Sequence, residues 1–242
     1  FPSHGFGLLG GVWPDLTLWF AVALARNGAI EACAERLRAI YAAMEEGAPR
    51  NTVPGQFAEW FDGGSLTNRG MYLSPWTGAK YLWAVAETVG GLDGYRTSGR
   101  PHFSPLVPAG WKWTAAARVR YGSGRCTYVI DVERKAIYGD MREASAEEPY
   151  RCFYAGADVS AECRVSPVEV GVVAFEEGSA VRAFICNLED AARDVTLEFR
   201  GDTLCRRLAP GQLLEVVLAG TPVECEAFPT PADTGSREGE PA

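Results

Sequence analysis

Residues 49–84 read PRNTVPGQFAEWFDGGSLTNRGMYLSPWTGAKYLWA, and this stretch, most of it a long loop, separates two segments of helical period. The loop, residues 47–73, is rich in Gly, Pro and Asn yet carries Phe57, Trp60, Phe61, Met71 and Tyr72. A loop of that length with no structure of its own is uncommon in a compact domain, and ordered examples are usually functional. Ser74-Pro75 then announces a helix: a hydroxyl at the N-cap, and proline at the first helical position where its missing N–H costs nothing. Trp76, Ala79, Leu82, Trp83, Ala86 and Val89 come next at helical spacing, and Gly90-Gly91 supplies the stop.

Upstream of the loop the period is also helical. Ile30, Cys33, Leu37, Ile40 and Met44 fall on one face, with Glu31, Glu35, Arg36 and Arg38 off it. Before them Leu16, Trp19, Phe20, Ala23 and Leu24 form another stripe, closed by Asn27-Gly28. Downstream, residues 92–110 read as a linker, and after Trp111 the period becomes two. Val168, Val170 and Val172 alternate with other residues, as do Val181, Ala183 and Ile185, and Val195, Leu197 and Phe199. Gly122-Ser123-Gly124, Glu177-Gly178-Ser179, Gly201-Asp202 and Pro210-Gly211 mark turns between such runs. The expected fold is therefore α+β in two segregated parts. A helical segment, 1–91, and a linker, 92–110, precede an antiparallel β-sandwich of about seven to nine strands over 111–228, sealed by the run LAPGQLLEVVLAG at 208–220. Residues 229–242 have almost nothing to bury and read as disordered.

The 242 residues are 47% hydrophobic and 22% charged, which excludes wholesale disorder and fibrous classes. A net charge of −8 with scattered basic residues argues against nucleic acid as a partner. No apolar run is long enough to cross a bilayer, and the first residues lack the basic and apolar regions of a secretion signal. These readings place the chain off the membrane and in the cytoplasm. Seven cysteines without a C-x-x-C pair, and only His4 and His102, give zinc almost no ligands. Acidic residues do not cluster at calcium-loop spacing either, so neither a metal nor another cofactor is expected. The odd cysteine count favours reduced thiols, although six of them lie after residue 120 and three bridges there are arithmetically open.

Three helices in about ninety residues carry Trp13, Trp19, Phe20, Trp60, Phe61, Trp76, Tyr81 and Trp83. A unit so small buries only a little over half its surface, so this aromatic load calls for cover from the sandwich or from a larger assembly. The run from Leu8 to Val12 straight into a helix favours the assembly. Within the loop, Glu59 and Asp62 lie among Trp60, Phe61, Tyr72 and Trp76. Sugar faces stack on aromatic rings and a carboxylate can deprotonate a water, so the setting suits sugar chemistry. A solvated acid beside packing aromatics is the plainer reading of the same residues.

The segments GGVWPDLTLWFAVALARNG (10–28) and PGQFAEWFDG with MYLSPWTGAKYLWAV (54–63 and 71–85) resemble the last part of an (α/α)6-barrel glycoside hydrolase. The similar families are glucoamylase-like, glycogen-debranching amylo-α-1,6-glucosidase-like, and α-glucosidase or trehalase-like enzymes. In these a Gly-Gly-x-Trp-Pro element opens a late barrel helix, a loop carries a glutamate followed by an aromatic and Asp-Gly, and a β-sandwich comes after. The resemblance implies Glu59 as catalytic general base of an inverting reaction on α-glucoside-type oligo- or polysaccharides. It implies Trp13 and Trp76 as subsite walls, Trp60 beside the base as a further substrate contact, and Tyr72 as a hydrogen-bonding partner of a sugar hydroxyl. Gln56 and Arg69 are candidate polar sugar contacts. Asp62 serves the turn as readily as the sugar, and Asp15 reads as a first-turn acid favoured by the helix dipole.

Such barrels hold many more helices than the three read here, and their general acid lies in an earlier loop. The chain is thus expected to be the carboxyl-terminal part of something longer, completed by an amino-terminal barrel region or a partner chain, and inactive alone. Two rivals stand beside this. One is a non-catalytic carbohydrate-binding or structural module, with Trp111, Trp113, Tyr121 and Tyr128 on an exposed sheet face, although Trp111 and Trp113 also fit a shared core face. The other is a phosphorylase or lyase on the same fold, for which the loop offers Arg50 and Arg69 but retains Glu59.

Overall fold

A computed structural model describes residues 11–94, 96 and 99–218. His4, Gly10, Cys225 and the expected disordered tail at 229–242 lie outside the described residues. Helices α1 (Pro14–Arg26), α2 (Ile30–Glu45) and α3 (Pro75–Glu87) come first, with a 3-10 turn at Ala48–Arg50. The strands are β1 (His102–Phe103), β2 (Trp113–Tyr121), β3 (Gly124–Asp131), β4 (Ala136–Gly139), β5 (Ser145–Ala146), β6 (Arg151–Tyr154) and β7 (Ala157–Asp158). A 3-10 turn leads into β8 (Cys163–Ser166), β9 (Val170–Glu177), β10 (Ala180–Asn187), β11 (Arg193–Phe199), β12 (Asp202–Leu208) and β13 (Leu213–Leu218). The two-part α+β order expected from the sequence is present, helices first and mostly antiparallel sheets after.

The helix ends obey their local chemistry. Ser74 Oγ accepts from Thr77 N–H at 3.3 Å ahead of Pro75, and Gly28 takes the left-handed φ of +84° that ends α1. In α2 the expected stripe is buried, with Cys33, Leu37, Ile40 and Met44 all inside. Each of its larger side chains gains about 1.5–3 kcal/mol on burial. The stripe expected for α1 is on the wrong side: Leu18, Ala21, Val22 and Ala25 are buried, while Leu16, Trp19 and Phe20 are 61%, 50% and 55% exposed. Both sets have helical spacing, so periodicity could not choose between them. Packing chose the set with two alanines, which let α1 approach α2 and α3 closely. On α3, Trp76 and Leu82 likewise face outward, and Val89 beyond its end is buried.

The sheets run β2-β3-β4-β6, β13-β10-β9-β7 and β12-β11-β8, with a short β1-β5 pair. Two pairings, β4 with β6 and β1 with β5, are parallel. Strand β10 lies between β13 and β9 and is buried on both faces. Val181, Ala183 and Ile185 join Val195 and Leu197 of β11, whereas Phe184 joins Val129 of β3 and Phe175 of β9. Val168 does not share the alternation expected of it; it is 87% exposed, two residues ahead of β9 on the turn after Pro167. The stretch read as a linker, 92–110, packs into both parts: Leu92 and Phe103 are buried with Tyr128 and Ile137, and Leu106 packs against the helical core.

The six described cysteines are free thiols. Burial pushes Cys126 and Cys186 up to about 12 and Cys152 and Cys163 up to about 11. Unfolding releases these protons above the ordinary thiol value of 9.0. A group raised in the folded state contributes its full stability below the unfolded value and loses it as pH climbs toward the folded one. The urea midpoint should therefore fall between pH 9 and 11, with Cys186 alone costing about 1 kcal/mol per pH unit. Equal midpoints at pH 8 and pH 10 would contradict this.

Candidate functional site

The loop is built as a small ribbon. Phe61 pairs with Val12 on one side and with Asn68 on the other. Val12 N–H donates to Phe61 O at 2.8 Å and Phe61 N–H returns to Val12 O at 2.9 Å. Arg69 N–H donates to Trp60 O at 3.1 Å and Glu59 N–H to Met71 O at 3.0 Å, so residues 59–62 and 67–71 form a hairpin. Its tip is Asp62, which accepts from Ser65 N–H at 2.8 Å and Gly64 N–H at 3.0 Å, and from the Ser65 hydroxyl. These bonds, those of Ser65 first, hold its carboxyl below the usual carboxylate range. Asp62 therefore makes the turn, as one of its two readings had it.

Because Val12 is tied to Phe61, the neighbouring Trp13 lands on Trp60: their rings stack with centroids 6.2 Å apart and planes 20° from parallel. Glu59 is half-buried beside them. Its Oε2 accepts from Met71 N–H at 3.0 Å, and Oε1 has no hydrogen-bond partner among the described residues. Gly70 makes this approach possible, since a Cβ there would lie 2.5 Å from Trp60 Cδ1 and 2.8 Å from Glu59 Oε2. Asn68, 1% exposed, sets that turn by accepting Gly70 N–H on Oδ1 at 3.0 Å while its own backbone N–H donates to Arg50 O at 2.7 Å.

The fold thus brings Trp13, Glu59 and Trp60 together. Tyr72 and Trp76 are on the exposed run into α3, and the Tyr72 hydroxyl donates to Asn51 Oδ1 at 3.0 Å. Gln56 is half-buried with its backbone N–H on Val53 O, and Arg69 is exposed, its charge near Asp62. Asp15 is taken by Lys80 at 2.8 Å, and that ammonium also sits 5.6 Å above Trp19. Asn51, Asn68 and Gly70 were missed from sequence; the signal for the last two was the Asn-Arg-Gly run at 68–70, and for Asn51, which takes a left-handed φ of +55°, the turn-forming residue type itself. Glu59 lines none of five surface cavities of about 360 to 710 Å3 among the described residues. Among the described residues no group of three or more His, Cys, Asp or Glu side chains is placed to hold a metal ion. No helix in them is long and apolar enough to cross a membrane. Tyr128, offered for an exposed sugar-binding sheet face, is fully buried, with its hydroxyl on Gly90 O at 2.8 Å.

No protein-family model, curated protein or solved structure matches this chain.

Proposed function

We propose that this chain supplies the general base of an inverting glycoside hydrolase acting on α-glucoside-type oligo- or polysaccharides. The observation that carries the reading is the Glu59 carboxylate, anchored through one oxygen by Met71 N–H and without a hydrogen-bond partner among the described residues at the other, beside the Trp13–Trp60 stack. The indoles offer an apolar surface to a sugar ring. Oε1 is the oxygen that takes a proton from water as that water's oxygen bonds to the anomeric carbon. The glycosidic C–O bond breaks on the opposite side, and its oxygen takes a proton from a separate acid. In inverting pairs the two carboxyls stand about 6.5–9.5 Å apart, leaving room for the water.

The exposed apolar residues Leu16, Trp19 and Phe20 of α1 and Leu82 of α3 support a toroid completed by helices beyond those described. Such helices would also wall the open side of Glu59. The Phe184 cluster, which joins β3 and β4 to β9 and β10, supports a sandwich as the accessory unit.

Titration with an α-linked gluco-oligosaccharide, followed by tryptophan fluorescence, tests the reading. Trp13→Ala should weaken binding about tenfold, the loss of one aromatic stacking platform. Equal affinity of the variant and the parent chain would remove the indole stack from the site.

A further inference from the structure

The hairpin that carries Glu59 changes register partway along. Phe61 bridges Asn68, while Glu59 N–H donates to Met71 O at 3.0 Å. Between these two points one strand moves by two residues and the other by three, which makes a β-bulge at Gly70. Bulges re-aim side chains, and this one takes two N–H groups out of the ladder. In regular pairing Met71 N–H would go to a backbone carbonyl; here it donates to Glu59 Oε2 at 3.0 Å. Gly70 N–H goes to Asn68 Oδ1, also at 3.0 Å. The donor that holds the carboxylate is thus available only because the chain is bulged.

We propose that Asn68 is the positioning residue of this base. Its side-chain carbonyl pins the bulge at Gly70 and so keeps Met71 N–H on Glu59 Oε2, which leaves Oε1 for the water. The proposal rests on the reading of Glu59 as general base. Three observations single out Asn68. The first is anchorage from outside the hairpin: its N–H donates to Arg50 O at 2.7 Å, and its carbonyl accepts from Asn51 Nδ2 at 3.0 Å. The second is contact. Gly70 lies so close to the base that a Cβ there would be 2.8 Å from Glu59 Oε2, so whatever moves Gly70 disturbs the carboxylate.

The third is an unpaired donor. Asn68 is 1% exposed, yet its Nδ2 has no hydrogen-bond partner among the described residues. Because Gly70 N–H can only donate, the amide oxygen must face it, and the side chain cannot turn over to relieve Nδ2. A buried donor left unpaired costs more than a typical hydrogen bond returns, so stability does not account for asparagine at this position. Holding the bulge does.

Amide spectra of the 242-residue chain test the positioning without turnover. A bond to a carboxylate is stronger than one to an amide, so Glu59→Gln should move the Met71 amide proton upfield. In an Asn68→Ala background the same replacement should move it less than about half as far, because a donor swung off line feels little of the difference. Asn68→Asp keeps the acceptor oxygen, and the full displacement should return in that background. Equal displacement in the parent and Asn68→Ala backgrounds overturns the proposal. In the assembly that contains both carboxyl groups, Asn68→Ala should lower kcat at least about tenfold with KM changed less than about threefold. Asn68→Asp should bring kcat back to within about threefold of the parent. An Asn68→Ala assembly that works at the parent rate, where Glu59→Gln is inactive, also overturns it. If the spectra behave as expected while Glu59→Gln turns over normally, the hydrolase reading fails and the placement of the carboxylate by Asn68 stands. The unaltered chain covers the case of an Asn68→Ala variant that does not fold: Gly70 N–H should exchange at least about tenfold more slowly than in the urea-unfolded chain. Exchange at the unfolded rate overturns the proposal.

Discussion

Replacing Glu59 by glutamine is expected to lower kcat for an α-glucoside by about 10³-fold, with KM changed less than about threefold, in the assembly that contains both carboxyl groups. Glutamine is nearly isosteric, and its carbonyl can still accept from Met71 N–H, the bond that holds Glu59 at 3.0 Å. What it cannot do is take the proton of the attacking water. The loss should therefore appear in kcat rather than in KM, because the base acts only as the new C–O bond forms. Thermal stability should stay within about 2 °C of the parent, since no buried group loses a partner. Gly70→Ala separates position from chemistry. Its Cβ would press on Trp60 and on the Glu59 carboxylate, so it should reduce activity with the base still present. Turnover by Glu59→Gln at the parent rate would remove Glu59 from the chemistry, whatever the indoles bind.

How far this could be seen in the sequence differs element by element, and the differences have causes. Helix α2 was legible because charged residues interrupt its apolar stripe and leave one face to bury. Helix α3 was legible at its start, where Ser74 and Pro75 act locally. The buried face of α1 was not, because a helix apolar on nearly every side carries two equivalent stripes. The same ambiguity hid what residues 92–110 do: Pro and Gly announce irregular backbone, yet Phe103 among them is wholly buried. At the site, Glu59 and Trp60 were visible as residue types in an aromatic setting. Their meeting with Trp13 depends on the Val12–Phe61 bridge, a contact between segments about fifty residues apart that no local pattern encodes. Parallel pairing of β4 with β6 was hidden for the same reason.

Phe184→Ala is expected to cost about 3–5 kcal/mol, the largest stability loss from any single substitution considered. Phe184 is fully buried, 5.1 Å from the Tyr138 ring and 6.2 Å from that of Phe175, so truncation opens a cavity among residues of β4, β9 and β10. Strand β10 is paired on both sides and cannot move in to fill it. Leu188→Ala, at a site 60% exposed one residue past β10, should cost under about 0.5 kcal/mol and serves as the control. The readout also tests how the two parts of the chain are joined. All seven tryptophans lie between positions 13 and 113, so their fluorescence reports on the helices and the start of β2, not on the Phe184 cluster. Trp111 packs in the helical core, and the Tyr128 hydroxyl on β3 donates to Gly90 just past α3, so the parts share buried contacts. Urea unfolding of Phe184→Ala should then shift the fluorescence midpoint and the far-UV circular dichroism midpoint together. A fluorescence transition left at its parent position would mean that the helices unfold independently of the sheets, and that the Tyr128–Gly90 and Trp111 contacts do not couple them.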